Sequence, residues 1–385
     1  MSSVLERRLI VVSGKGGVGK TTVSAALGLL GARRGLRTIV VEVTSGEAGG
    51  EAAGMGRLSA LLGHAQPPPH GVETQLQEGL WGLTIDRDRV LAEWLRAIGG
   101  RVPARVLTAS SSFQYLIAAA PGAREMITMV KLWELAQGRR PADRAARGAS
   151  AAAGGQGGSA AAGERDYDLI VFDAPATGHA LAMLRSPHTF GTIARMGPIA
   201  RQAGQVRELL EDPARTAYLA VTQATEMGVT ETLELRTGLR REVGRELDAV
   251  VVNGTLPRRF EGEELQRIAA LDGGSAGGNA TPASNGADPA VGATVGGGGH
   301  IEPADRPPRS GGATATDTAA VTASAVRTAH AVHERARAQQ RQIARLRRHE
   351  GLHGAPPVMR VPFMFRSALD LTAIQRIADR LERGL

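Results

Sequence analysis

The sequence contains no cysteine, so a disulfide framework, a thiolate metal site and a cysteine nucleophile are excluded. Aromatic residues make up 3% of the chain, while glycine is abundant, with 50 residues. No apolar run approaches the roughly 20 residues that cross a bilayer. The stretch from Met1 to Arg8 is polar and has no secretory-signal pattern. We therefore expect a cytoplasmic protein without a transmembrane span.

The charge of the chain is basic, with a formal net charge of +8 over 385 residues. Basic charge can indicate nucleic acid or an anionic membrane as a partner. Much of it lies between Arg327 and Arg348, and no stacking surface or groove-reading motif accompanies it. Nucleic acid is therefore not an expected partner.

The most informative motif follows the apolar run from Leu9 to Val12. It has the spacing Gly-x-x-x-x-Gly-Lys-Thr, typical of a phosphate-binding loop between a strand and a helix. The predicted nucleotide-binding residues are Gly14, Gly16, Gly17, Val18, Gly19, Lys20, Thr21 and Thr22. Glycines let several backbone N–H groups face one phosphate chain, and the following helix directs its positive end at the same phosphates. Lys20 adds a charge at the β- and γ-phosphates, and Thr21 offers a hydroxyl to Mg²⁺.

Apolar runs that alternate with helical patterns predict an α/β fold: a mostly parallel sheet flanked by helices, with a helical insertion. The predicted strands include Arg37 to Val43, Leu80 to Asp86, Tyr167 to Asp173 and Leu247 to Asn253. The organisation we predict is a P-loop ATPase domain from 1–144, 164–271 and 355–385 with its insertion at about 88–137, a disordered insertion at 145–163, a low-complexity linker at 272–326, and a basic helix at 327–350.

A second phosphate-sensing segment follows the strand that ends at Asp173. A carboxylate at the end of a strand opposite a P-loop can hold Mg²⁺ through a water molecule, so Asp173 is a predicted catalytic and metal-binding residue together with Thr21. Gly178 gives the backbone the freedom to move toward a γ-phosphate. The segment from Asp173 to His179 is therefore interpreted as a nucleotide-dependent switch.

These two motifs resemble those of the ArsA-type ATPases, which include arsenical-pump ATPases and ATPases that target tail-anchored membrane proteins. Gly14 to Thr22 matches the deviant Walker A P-loop of the family, and Asp173 to His179 is similar to its switch. Asn253 matches the asparagine that reads adenine, and Pro362 ends a segment similar to the last strand near the base. The resemblance covers most of residues 8–270 and 357–385. ParA and MinD are more distant relatives.

The resemblance implies a dimeric enzyme that uses ATP and Mg²⁺. Lys15, the second lysine of the loop, would reach across the dimer interface to the partner's nucleotide, which makes Lys15 and Lys20 predicted catalytic residues. The dimer would be a homodimer or a heterodimer with a paralogue, and a membrane protein could be its cargo. Apolar residues from Phe113 to Trp133 would form either a cargo groove or ordinary helix packing.

The sequence departs from the family pattern after the second strand. Thr44 stands where the family has an aspartate that positions the attacking water, and threonine cannot accept a proton as a carboxylate does. Glu42 and Glu47 are the candidate replacements. Without cysteine, thiol-based arsenite sensing and the paired-cysteine zinc site of the targeting members are also excluded.

Three functions are therefore compatible with the sequence. The first is an ArsA-like ATPase in which nucleotide-driven dimer closure controls a cargo or membrane partner. The second is a nucleotide-gated binding or scaffold protein with low turnover. The third is a positioning ATPase similar to ParA and MinD, which would show ATP-dependent and salt-dependent DNA binding.

Overall fold

The computed structural model describes residues 4–43, 56–64, 66, 68–86, 90, 122–137, 167–194, 196–273, 315–348, 356–366 and 368–384. The predicted insertion at 145–163, Thr44, Glu47 and most of the helices predicted between 88 and 119 lie outside these residues. The chain divides into two compact units. One comprises Met1–Leu256 and Ala338–Leu385, and the other comprises Pro257–Arg337.

The first unit is built on one eight-stranded sheet. Its strands are β1 (Leu9–Gly14), β2 (Thr38–Val43), β3 (Thr74–Gln77), β4 (Leu80–Ile85), β5 (Leu169–Ala176), β6 (Thr216–Gln223), β7 (Ala249–Thr255) and β8 (Val358–Pro362). They lie in the order β3-β4-β2-β5-β1-β6-β7-β8. Every neighbouring pair is parallel except β3 with β4. The prediction of a mostly parallel sheet is confirmed.

The central strands are continuously apolar because both faces of the sheet are covered. All six residues of β1 are buried, as are the first five of β2. By contrast, β3 is a short polar edge strand, Thr-Gln-Leu-Gln, in which a single residue is buried. The sequence did not predict β3, because such a segment resembles a loop until its partner β4 is known.

Helices of the first unit cover both faces of this sheet. The described helices are a 3₁₀ turn (Val4–Glu6), α1 (Lys20–Arg33), α2 (Gly56–Leu61), α3 (Ala123–Gln137), α4 (Thr177–Ala194), α5 (Pro198–Glu211), α6 (Glu226–Val243), α7 (Gly262–Gly273), α8 (Ala315–Arg348) and α9 (Leu371–Glu382). Of these, α7 and residues 315–337 of α8 belong to the second unit. One apolar core contains side chains of α1, α2 and α9, and the other contains side chains of α3, α4, α5 and α6. The arrangement places the carboxyl ends of β1, β2 and β5 next to one another.

Two helical regions differ from expectation. The basic helix α8 begins at Ala315, well before the predicted start at Arg327, because alanine strongly favours a helix even where composition is simple. Helices α4 and α5 were not predicted. Pro187 lies inside α4 and glycine precedes α5, and both residues normally indicate a break in a helix.

Candidate nucleotide-binding site

The predicted phosphate-binding loop connects the buried strand β1 to α1 at the carboxyl edge of the sheet. Two of its glycines are required by their surroundings. Gly14 has a φ of +145°, and a Cβ there would lie 2.0 Å from the carbonyl oxygen of Val221. Gly19 has a φ of +95°, and its Cβ would lie 2.3 Å from Nδ2 of Asn253. The loop therefore lies close to the ends of β6 and β7, and side chains at these positions are excluded.

We predict that Gly19→Ala lowers the stability of the nucleotide-free protein by about 1–2 kcal/mol, because alanine is strained at a positive φ and would displace Asn253. The matched control is Gly16→Ala. A Cβ at Gly16 would have no heavy atom within 4 Å, and Gly16 has no positive φ, so the melting temperature of this variant should be nearly unchanged. Thermal unfolding of both variants tests this, and equal losses in the two would contradict it.

The phosphate-binding loop leads directly into the amino terminus of α1. Gly19 precedes the helix in the left-handed conformation, and no side chain caps the first turn. Its backbone N–H groups therefore remain donors for another acceptor, and the helix dipole favours an anion there. Such an amino terminus fits the phosphates of a nucleotide.

Lys20 directs its ammonium group into the loop. Its Nζ donates hydrogen bonds to the carbonyl oxygens of Gly14 and Lys15, both at 3.1 Å. Burial lowers the pKa of Lys20, and the nearby Asp173 carboxylate opposes that shift. The cation thus lies inside the turn that the glycines form, where it can bind phosphate oxygens.

Asp173 faces α1 from within β5, which continues to Ala176 rather than ending at Asp173 as predicted. Its carboxylate accepts hydrogen bonds from Thr21 Oγ1 at 2.6 Å and from Ser24 Oγ at 3.1 Å. Burial raises the pKa of Asp173, while these two hydrogen bonds and the Lys20 charge oppose the shift. The predicted metal-binding pair, Thr21 and Asp173, is therefore in direct contact. A hydroxyl beside a carboxylate is an oxygen donor set that suits Mg²⁺.

Sequence reasoning missed the contact of Ser24 with Asp173. Ser24 lies three residues after Thr21 on α1, and residues at that spacing share one helix face. Thr22, like Ser24, is buried. The spacing of Ser24 was the available signal, but the partner was visible only once β5 and α1 were placed together.

Glu42 is the neighbour of Asp173 in the sheet, because these two residues are opposite each other in the β2–β5 ladder. Its side chain is buried. Burial, followed by the Asp173 charge, raises the pKa of Glu42 to about 8, and Arg57 on α2 opposes the shift. Of the two acids considered as replacements for the missing aspartate, Glu42 thus lies beside Asp173, the carboxylate predicted to bind metal, while Glu47 is outside the described residues.

The two residues predicted to contact adenine lie on adjacent strands. Asn253 Nδ2 donates to the carbonyl oxygen of Val18 at 2.9 Å, so this side chain contacts the phosphate-binding loop. Pro362 ends β8 and is opposite Thr255 of β7. Both residues lie toward the carboxyl ends of their strands, the side of the sheet that also carries the phosphate-binding loop. Their contact with a base stays a prediction.

Lys15 lies apart from the other residues that are predicted to bind the nucleotide. Its Nζ lies 2.7 Å from Oε1 of Glu231 and contacts Sδ of Met227, both on α6. About a third of each charged side chain is exposed, 35% for Lys15 and 30% for Glu231. The structure therefore places Lys20 among the predicted phosphate-binding groups and Lys15 on the outer side of the loop, and sequence reasoning did not anticipate Glu231 as its partner.

A parallel sheet whose central strand enters a glycine loop, followed by a Lys-Thr-Thr helix start and faced by an aspartate from the adjacent strand, defines a P-loop nucleoside triphosphatase. Comparison with known proteins agrees. The family model for the CobQ/CobB/MinD/ParA nucleotide binding domain matches residues 9–48. This matched region contains the loop, α1 and β2.

Three relatives extend the similarity over a larger part of the chain. The ATPase BagA of Mycobacterium tuberculosis is 28% identical over 276 residues, which cover 68% of this chain and 69% of that protein. The ATPase ARSA1 of Chlamydomonas reinhardtii is 27% identical over 277 residues, which cover 62% of this chain and 34% of that protein. The ATPase ASNA1 homolog 1 of Paramecium tetraurelia is 26% identical over 191 residues, which cover 49% of this chain and 47% of that protein.

The motifs, the fold and these relatives support the predicted resemblance to the ArsA-type P-loop ATPases. The comparisons support ATPase activity. Among the described residues, no helix is long and apolar enough to cross a membrane. The described part of the chain also contains no group of three or more His, Cys, Asp or Glu residues suited to a metal ion.

Proposed function

We propose that this protein is a Mg²⁺-dependent ATPase in which ATP drives closure of a dimer, and that closure controls a cargo or membrane partner. The observation that carries this proposal is the different placement of the two loop lysines. Lys20 donates hydrogen bonds inside the loop, whereas Lys15 lies on its outer side against α6. A lysine that lies outside its own phosphate-binding site can act on a second one once it leaves α6.

Different residues of one subunit bind the phosphates, the Mg²⁺ ion and the base. Backbone N–H groups at the start of α1 and the Lys20 ammonium bind the phosphates, and the loop glycines allow the close approach. Thr21 and Asp173 would hold Mg²⁺. When bound, Mg²⁺–ATP supplies a phosphoanhydride whose hydrolysis releases free energy, and Asn253 and Pro362 lie at the edge where the base would bind.

Lys15 contributes the catalytic charge that one subunit lacks. In the closed dimer, its ammonium would stabilise negative charge that develops on the partner's nucleotide, much as an arginine finger does. The second subunit is a copy of this chain or a paralogue. The cytoplasmic location and the membrane-protein cargo remain part of the proposal.

We predict that Lys15→Ala leaves ATP affinity nearly intact but lowers turnover by about 10²-fold, the usual cost of losing one donor to transition-state charge. Calorimetry would measure binding, and phosphate release at saturating ATP would measure turnover. Analytical ultracentrifugation should also show that ATP no longer promotes the dimer. A large loss of ATP affinity with unchanged turnover per bound nucleotide would contradict a role in trans.

The alternative is a nucleotide-gated binding protein with little turnover. Thr44 at the position of the family's water-positioning aspartate favours it, because a positioned general base typically contributes about 10²- to 10⁴-fold. Purified protein that binds Mg²⁺–ATP and dimerises, but hydrolyses less than one ATP during the lifetime of the dimer, would support this alternative.

A further inference from the structure

The ion pair between Lys15 and Glu231 joins the phosphate-binding loop to α6 within one subunit. The two charged atoms are 2.7 Å apart, and the sulfur of Met227, one turn earlier on the same helix, contacts the same ammonium. Gly16 and Gly17, which follow Lys15, have open space around them. The side chain is therefore held by α6, while the loop around it has room to move.

This contact competes with the proposed role of Lys15. The Glu231 carboxylate compensates the charge of the Lys15 ammonium and holds this group against α6 of its own subunit. Two of the three N–H donors of the ammonium are used by Glu231 and Met227. To reach a phosphate of another subunit, Lys15 must therefore leave α6.

We infer that Glu231 is a positioning residue, which holds Lys15 within its own subunit and thereby restrains dimer closure and turnover. This inference rests on the proposed function of Lys15. The restraint is moderate, because an ion pair between partly exposed side chains changes an equilibrium by about two- to fivefold. It therefore sets a threshold for closure and does not block it.

The loop also links this restraint to the phosphate-binding lysine. Lys20 Nζ donates a hydrogen bond to the carbonyl oxygen of Lys15. If Lys20 donates to a phosphate instead, the Lys15 peptide loses this partner. Binding of ATP would thus free the backbone that carries Lys15 and make its separation from Glu231 easier.

Replacing Glu231 by glutamine removes the charge but keeps the shape. We expect Glu231→Gln to raise turnover about two- to fivefold at protein concentrations where the dimer is partly formed, with unchanged ATP affinity. Glu234→Gln is the matched control, because Glu234 is an exposed acid on the same helix and the change in net charge is identical. In a Lys15→Ala background, Glu231→Gln should have no effect on turnover.

The lysine content of the chain provides a second, independent measurement. Its lysines are Lys15, Lys20 and Lys131 alone. Lys131 is nearly buried, with 11% of its side chain exposed, and serves as an internal reference. Brief acylation followed by peptide mass spectrometry should modify Lys15 about two- to fivefold faster in Glu231→Gln than in the wild type or in Glu234→Gln.

The outcomes separate this inference from the proposed function. If Lys15→Ala reduces turnover but Glu231→Gln changes neither turnover nor Lys15 acylation, the restraint is wrong and the role of Lys15 stands. An equal rise in turnover in the Lys15→Ala background would also overturn it, since Glu231 would then act by another route. If Lys15→Ala leaves turnover unchanged, the proposed function fails and this inference fails with it.

Discussion

Lys20→Ala should reduce the affinity for Mg²⁺–ATP by about 10³-fold, which is typical when one member of a desolvated charge pair is removed. Lys20 lies inside the predicted phosphate-binding loop, where its ammonium donates to the carbonyl oxygens of Gly14 and Lys15. Burial already lowers its pKa, so its charge is poorly hydrated and would gain much from a phosphate partner. Calorimetric titration with Mg²⁺–ATP would measure the loss.

The matched control for this experiment is the other loop lysine. Lys15→Ala removes the same charge from the same loop, but Lys15 contacts Glu231 on the outer side. ATP affinity should therefore fall strongly in one variant and little in the other. Near-normal affinity in Lys20→Ala would mean that the phosphate-binding loop has been assigned wrongly.

Glu42→Gln should stabilise the nucleotide-free protein at alkaline pH. Burial and the Asp173 charge raise the pKa of Glu42 from an ordinary value of 4.5 to about 8. The folded state binds this proton more tightly than the unfolded state, so protonation of Glu42 contributes its full stabilisation below about pH 4.5. That stabilisation is lost as the pH rises toward 8. The difference between the two pKa values corresponds to an upper limit of about 5 kcal/mol in the free energy of unfolding.

The expected result is a difference between wild type and Glu42→Gln that depends on pH. Near pH 5 the two proteins should unfold at similar denaturant concentrations, and near pH 8.5 the variant should be more stable. Measurements in EDTA without nucleotide keep Mg²⁺ from neutralising Asp173. Glu234→Gln, an exposed substitution, controls for net charge. A stability difference of the same size at both pH values would show that the Glu42 carboxyl does not titrate as described.

Glu42 also bears on catalysis. It lies beside Asp173 at the edge of the sheet that carries the phosphate-binding loop. In the protein without nucleotide or Mg²⁺, a carboxyl with a pKa of about 8 is largely protonated at neutral pH, so it is a poor general base there and becomes a better one as it deprotonates. Turnover that increases between pH 7 and 9 and loses that increase in Glu42→Gln would indicate that Glu42 has taken over the role of the missing aspartate.

The sequence determined those features of the protein that depend on local pattern. Continuous apolar runs gave the buried strands, because a parallel sheet covered on both faces tolerates few polar side chains. The spacing of Gly14, Gly19, Lys20 and Thr21 gave the phosphate-binding loop, because positive φ angles and a helix start require those residue types. Asp173 was predicted from its place at the end of an apolar run in the sequence.

The tertiary structure decided which residues meet. Ser24 and Glu42 both lie near Asp173 because α1 packs over β5 and β2 pairs with it, and no spacing along the chain encodes those distances. Glu231 is 216 residues from Lys15, and the packing of α6 beside the loop brings the two together. Local sequence specified the groups that could bind a nucleotide, whereas long-range packing specified which charges surround them and which of the two lysines is held by α6.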